Sequence, residues 1–302
     1  MTSQQKNKEP EVESEEKDQG EEIEIDEKQL PSRAAAIHEQ IRQDGEKELE
    51  RDSIALLWSA IAAGLSMGAS LMAKGIFQAH LGDVPGAFLL ENLGYTFGFI
   101  IVIMARQQLF TENTVTAVLP VMHKPTGGNF LLLLRLWGMV LLGNLIGTGL
   151  GALAFAHMPV FDDATRLAFT HISEKVMANP PATMFANAII AGWIIATMVW
   201  MFPSAGDAKI LVIILMTWLV ALGDLSHIVV GSVEVWYLVF TGALPWQEFI
   251  WPFALPTLAG NIIGGTFIFA LISHAQIRND MSSEKNAQAK TEQKKAQKSQ
   301  RK

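Results

Sequence analysis

His227 is the residue whose type and position offer the most chemistry. It lies inside an otherwise apolar stretch, whereas the other six histidines fall near the ends of apolar segments (His80, His123, His157, His274) or in hydrophilic stretches (His38, His171). An ionisable side chain held deep in apolar chain is costly, and so marks a functional position. Its imidazole can donate a hydrogen bond or a proton to a weak-acid anion; the plainer alternative is a packed histidine bonded to a backbone carbonyl. The Thr111 hydroxyl is an adaptable donor in a second such region, with a helix cap as its alternative. Other chemistry finds less support. Ser66, within Gly64-Leu65-Ser66-Met67-Gly68, fits a nucleophile-elbow pattern, and Asp224, Ser226 and His227 invite a hydrolase reading. That elbow needs a strand, a sharp turn and a helix, whereas Ser66 sits in an uninterrupted apolar run where small residues permit close helix packing. There is no cysteine, phosphate-binding loop, His-Glu-x-x-His motif or metal-ligand cluster in the sequence. The sequence therefore predicts neither an enzyme nor a bound cofactor or metal.

The elements that carry these residues are predicted to lie in a lipid bilayer. Half of the 302 residues are hydrophobic and 18% are charged, with a mean hydropathy of +0.25. The charge is concentrated at the ends: residues 1–50 carry 16 Asp/Glu against 7 Lys/Arg, and residues 276–302 carry 8 Lys/Arg against 3 Asp/Glu. Residues 9–27 are too polar and charged to bury a core and are expected to be disordered. Pro31 and Ser32 start a short polar helix over 33–51, weakened at Gly45. The Lys/Gln/Ala tail beyond 277 is expected to lie beside anionic lipid rather than bind nucleic acid. Between the tails, residues 51–277 divide into six apolar segments. Residues 54–73, 136–161, 181–203 and 249–277 are each long enough to span alone. The second and fifth are interrupted: 92–105 resumes as 114–122, and 210–223 resumes as 225–233.

An internal repeat orders these segments. Gly143-Asn144-Leu145-Ile146-Gly147 recurs 117 residues later as Gly260-Asn261-Ile262-Ile263-Gly264, and nearly the same offset carries Arg106 onto Asp224. Three spans per half is an odd number, so the second half must enter from the opposite side. The expected fold is all-α, with six transmembrane helices as two inverted three-helix repeats and the second and fifth helices broken. Short interrupted spans at matching positions of such halves point to a substrate path. With both termini cytoplasmic, Lys124, Lys209 and the basic tail fall inside and only Arg166 and Lys175 outside, as the positive-inside bias requires.

These residues resemble the formate/nitrite transporter family over about residues 54–275. Leu109-Phe110-Thr111 with Asn113 is similar to the family's Leu-Phe-Thr-x-Asn break in the second helix. Leu255-Pro256 followed by Gly260-Asn261-Ile262-Ile263-Gly264-Gly265 resembles its sixth helix. The resemblance implies an aquaporin-like protomer, a homopentamer in the bacterial inner membrane, and passage of small monovalent anions or their conjugate acids. It matches His227 to the central pore histidine facing Thr111, with Asn261 nearby, and matches Tyr95 and Phe99 to the second-helix constriction, Val220 to the fifth-helix one and Lys175 to an anion-attracting vestibule lysine. Leu109, Phe110 and Thr111 then line the path, where broken-helix N–H groups favour anions.

The chain departs from the family at Arg106-Gln107-Gln108, Glu112, Gly192 and Ser226, and at Asp224, where a glycine is usual. Tyr95 replaces the usual Phe, and Val220 is smaller than the usual aromatic. From the repeat, Arg106 and Asp224 are expected to pair at the path entrance or in its supporting shell, because lone charges there are costly. Two other functions fit the same pattern: a channel for small neutral solutes, and a non-transporting sensor or scaffold that works through the two tails.

Overall fold

The computed structural model describes residues 33–82, 84–280 and 282–283, and among them it is helical with no strand. The acidic stretch, the Pro31-Ser32 helix start and nearly all of the basic tail lie outside the described residues. Five helical segments are long and apolar enough to cross a membrane: Ser53–Leu81, Ala87–Met104, Gly127–His157, Pro181–Leu222 and Trp246–Asp280. The fourth turns at Gly206, which adopts φ +48°, and so divides into two helices.

In chain order the elements are α1 (Arg33–Glu50), α2 (Ser53–Leu81), α3 (Ala87–Leu93), α4 (Thr96–Met104), α5 (Val118–His123), α6 (Gly127–His157), α7 (Asp163–Met177), α8 (Pro181–Ala205), α9 (Lys209–Leu222) and α10 (Ile228–Phe240). The last, α11 (Trp246–Asp280), kinks at Trp251, whose backbone is extended at φ −137° and ψ 123°. Local chemistry sets several starts. Asp52 accepts the Ile54 and Ala55 amides at the head of α2, Thr126 accepts the Asn129 amide in α6, and Asp162 accepts the Thr165 amide in α7, each satisfying an otherwise orphaned donor. Pro181 opens α8, where its missing N–H is harmless.

Close backbone approach holds the long helices together. A Cβ on Gly64 would fall 2.8 Å from the Gly147 Cα, so α2 and α6 meet at two glycines. A Cβ on Gly192 would similarly strike the Asn261 backbone, joining α8 to α11. Outward-facing Trp58, Leu131, Leu211 and Phe267 are more than half exposed, as a surface facing lipid or a neighbouring subunit requires.

Four elements differ from the sequence reading. α2 continues through Lys74, and α6 begins nine residues before residue 136, taking in Arg135. The Arg135 guanidinium donates to the carbonyls of Leu49 at 2.7 Å and Arg51 at 3.0 Å, so this cation closes the C-terminal end of α1. Helix α7 occupies what reads as an outer loop, packing Phe169 against Gly75 of α2. Helix α1 itself is not weakened at Gly45: any Cβ there would collide with the Thr116 carbonyl, so this glycine lets α1 settle against the segment before α5, with Ile41 and Leu49 buried.

Candidate functional site

Two interruptions, between α4 and α5 and between α9 and α10, are built alike. At the end of α4 the Gln107 amide donates to the Val102 carbonyl at 2.9 Å, and at the end of α9 the Leu225 amide donates to Val220 at 3.1 Å. This bond pattern needs a left-handed residue just before its donor, and Arg106 (φ +50°) and Asp224 (φ +51°) supply it. Both are L residues where glycine would be unstrained, at about 1–2 kcal/mol each. The family's usual glycine at position 224 follows from this geometry.

Each interruption is pinned by one asparagine. Asn144 Oδ1 accepts the Phe110 amide at 2.9 Å, and its Nδ2 donates to the Ala60 and Gln108 carbonyls. Asn261 Oδ1 accepts the Ile228 amide at 2.9 Å, and its Nδ2 donates to the Ala188 and Ser226 carbonyls. Both side chains are fully buried. With both N–H donors and one acceptor site engaged, Asn261 holds the break in place and has no N–H left to offer an anion.

His227 is the residue immediately before α10. Its Nδ1 accepts the Val230 amide at 3.3 Å, which in a neutral ring leaves the proton on Nε2. Nε2 lies 2.8 Å from the Thr111 Oγ1, so the ring donates to the threonine and the two breaks meet at this contact. The Phe99 ring stands edge-on to His227 at 5.2 Å between centroids, and Tyr95 packs on Phe99 at 5.4 Å. Phe99 is fully buried, and Tyr95 nearly so, with a hydroxyl that has no hydrogen-bond partner.

A cavity of about 160 Å³ leads to this contact, and His227, Tyr95, Lys175 and Asp224 line it. Thr111 and Phe99 reach the site through His227. Val220, Leu109 and Phe110 are buried away from this cavity, and Phe110 meets Trp137 edge-on at 5.8 Å between ring centroids. The expected pairing of Arg106 with Asp224 is not formed. Asp224 instead meets Lys175 at 3.1 Å, on the α7 side, whereas Arg106 is exposed on the α1 side. There it acts on Asp44, whose carboxyl burial pushes up while Lys47 and Arg106 oppose the rise. The two residues therefore have different neighbours, Lys175 for Asp224 and Asp44 for Arg106.

The sequence reading missed two cavity residues. Glu234 of α10 is 4% exposed and, with Lys74 of α2, lines the cavity. The signal was present, since ionisable residues inside apolar helices are informative; each was read as the end of a span. A third miss joins the termini: His38 Nε2 lies 3.0 Å from His274 Nδ1, with Trp200 edge-on. Burial, with His274 alongside, pushes the His38 imidazole down to about 4.

The family model described as formate/nitrite transporter matches residues 35–275. This chain belongs to the formate/nitrite transporter family. This family member is 76% identical to the inner membrane protein YfdC of Escherichia coli (strain K12), over 93% of this chain and 90% of that one. It is 27% identical to the uncharacterized transporter YrhG of Bacillus subtilis (strain 168), over 64% of this chain and 74% of that one. Among solved structures, the chain is similar to a pentameric formate channel with formate bound, at a TM-score of 0.65 and 23% identity, covering 75% of this chain and 97% of that one. A structure titled FNT family ion channel is similar at a TM-score of 0.68 and 18% identity, with 78% and 96% covered. This formate/nitrite transporter family member thus shares their fold and is a multi-pass membrane protein.

Proposed function

We propose that this chain is a channel or transporter for small monovalent anions or their conjugate acids, of the size of formate or nitrite. The observation that carries the reading is the 2.8 Å contact between Thr111 and His227, where two broken helices meet at the foot of the cavity. An arriving anion replaces that mutual contact, taking the N–H of His227 and the hydroxyl of Thr111 as two converging donors. The N-terminal end of α10 adds its positive dipole. Phe99 with Tyr95 forms the constriction on the cavity side; Leu109, Phe110 and Val220 bound the path beyond it. Lys175 draws anions to the mouth, moderated by Asp224.

In this reading there are six spans: α2, α3 to α5, α6, α8, α9 with α10, and α11. They form two inverted three-helix repeats, a reading supported by the matched helix ends and asparagine locks. The exposed apolar faces and the similarity to a pentameric formate channel support a homopentamer with one path per protomer. The inner membrane placement follows the E. coli relative, and loop charge puts both termini in the cytoplasm.

The test is uptake of formate, nitrite and glycerol into liposomes holding the purified protein, from pH 5 to 8, for wild type and His227→Ala. A hydrogen bond to a charged group contributes about 1.5–3 kcal/mol, so the variant is expected to lose about tenfold or more of anion flux. Anion flux equal in the two proteins overturns the central role of His227; glycerol flux without anion flux overturns the substrate class.

A further inference from the structure

The cavity contains more charge than an anion entrance needs. Lys175 and Asp224 account for each other at 3.1 Å. Lys74 and Glu234 remain: both line the same cavity, neither belongs to an ion pair among the described residues, and no hydrogen bond engages either side chain. Lys74 enters from α2 with its Nζ 5.9 Å from the centre of the Tyr95 ring. Glu234 enters from α10, 4% exposed and within electrostatic reach of Lys74, Asp224 and Lys175. Lys74 and Glu234 are more than a salt-bridge length apart, so the cavity presents an unpaired ammonium and an unpaired carboxyl across a gap.

Each of these groups favours a different ligand end. A buried charge without a partner is destabilising, and its penalty is relieved when a ligand brings the complementary group. A lone monovalent anion satisfies Lys74 but meets Glu234 with repulsion. A lone cation does the reverse. A molecule with an anionic oxygen at one end and an N–H donor at the other satisfies both. Size narrows the class further: the cavity of about 160 Å³ is comparable to an enclosed cavity of about 150 Å³ that takes a six-carbon ring, so a small solute fits.

We propose that Lys74 and Glu234 form a bipolar recognition site in the cavity mouth that takes a small amino-acid-like zwitterion, its carboxylate on Lys74 and its ammonium on Glu234. The site is distinct from the Thr111–His227 contact, and its occupancy does not depend on the solute passing that contact.

The experiment is titration calorimetry of the purified, detergent-solubilised full chain with three probes: glycine, formate and methylammonium. Glycine is expected to bind at least about tenfold more tightly than either single-charge probe, the factor that one further charged hydrogen bond supplies. Glu234→Gln and Lys74→Met are each expected to weaken glycine binding at least about tenfold, while Glu234→Gln leaves formate binding undiminished. Formate binding as tight as glycine binding, or absence of glycine binding to wild type, overturns the proposal. So does glycine binding that both variants leave unchanged. The comparison of probes on wild type needs no variant to fold. The His227 flux assay reads the proposed transport separately, so either result can fail without the other.

Discussion

Replacing Asn261 by alanine is the sharpest perturbation of the break that positions His227. The side chain is fully buried, accepts the Ile228 amide and donates to the Ala188 and Ser226 carbonyls. The Ala188 carbonyl lies within α8 and keeps its place in that helix's ladder. The Ile228 amide, in the first turn of α10, and the Ser226 carbonyl, in the break, lose their partner. At about 1–3 kcal/mol for each buried group left unsatisfied, Asn261→Ala is expected to destabilise the protein by about 2–6 kcal/mol. Asn261→Asp retains an acceptor for Ile228 but sets a buried carboxyl against two carbonyl oxygens, so no smaller loss is expected. The equivalent Asn144→Ala, which releases the Phe110 amide and Gln108 carbonyl, should match Asn261→Ala in size. Unfolding of detergent-solubilised protein by added sodium dodecyl sulfate, followed by helical circular dichroism, measures all three. Stability of Asn261→Ala within about 0.5 kcal/mol of wild type, the range of an inconsequential surface change, would refute the locking role.

Two further outcomes follow from geometry elsewhere. His38 ionises near 6.5 when α1 is free and about 4 when it is docked, so the docked state binds fewer protons. Docking should weaken as pH falls below about 6.5, by up to tenfold per unit until about 4; protection factors of the α1 amides against hydrogen exchange, corrected for the intrinsic pH dependence, that are equal at pH 7 and pH 5 would exclude this. Asp224→Gly relieves about 1 kcal/mol of left-handed strain and loses an ion pair that is about half exposed, itself contributing about 0–1 kcal/mol. The unfolding midpoint should therefore hold or rise slightly, and a clear fall would show that the Lys175 contact matters more than the backbone.

Much of this architecture was legible because apolar length and repeated motifs report directly on burial. The runs beginning at residues 54 and 181 gave α2 and α8, and the repeated Gly-Asn pairs foreshadowed two equivalent asparagine locks. What was illegible depends on partners distant in sequence. Arg135 looked like the outer limit of a span because its partners, the Leu49 and Arg51 carbonyls, become visible only once α1 is placed. Lys74 and Glu234 sit at the edges of apolar runs in the sequence, and the cavity that they line forms only when α2 and α10 come together. Helix α7 is amphipathic and polar on balance, so its buried Phe169 was masked by its neighbours. The Arg106–Asp224 pairing is not formed because equivalence in sequence does not require proximity in space: Asp224 meets Lys175, and Arg106 lies by Asp44. Glycine 45 was read by propensity alone, whereas the Thr116 carbonyl beside it decides which residue fits.

The contact between His38 and His274 also imposes an order on the making of the protein. Helix α1 leaves the ribosome first, yet the residue that receives its histidine lies 236 positions later, at the end of the last helix. Closing so long a loop carries an entropic cost that local helices do not incur. The segment before α5 and Arg135 of α6 are made earlier and can receive α1 first, so the histidine contact is the last part of its seat to form. Only a chain whose final helix has been inserted can close that contact, which distinguishes a finished protomer from an incomplete one.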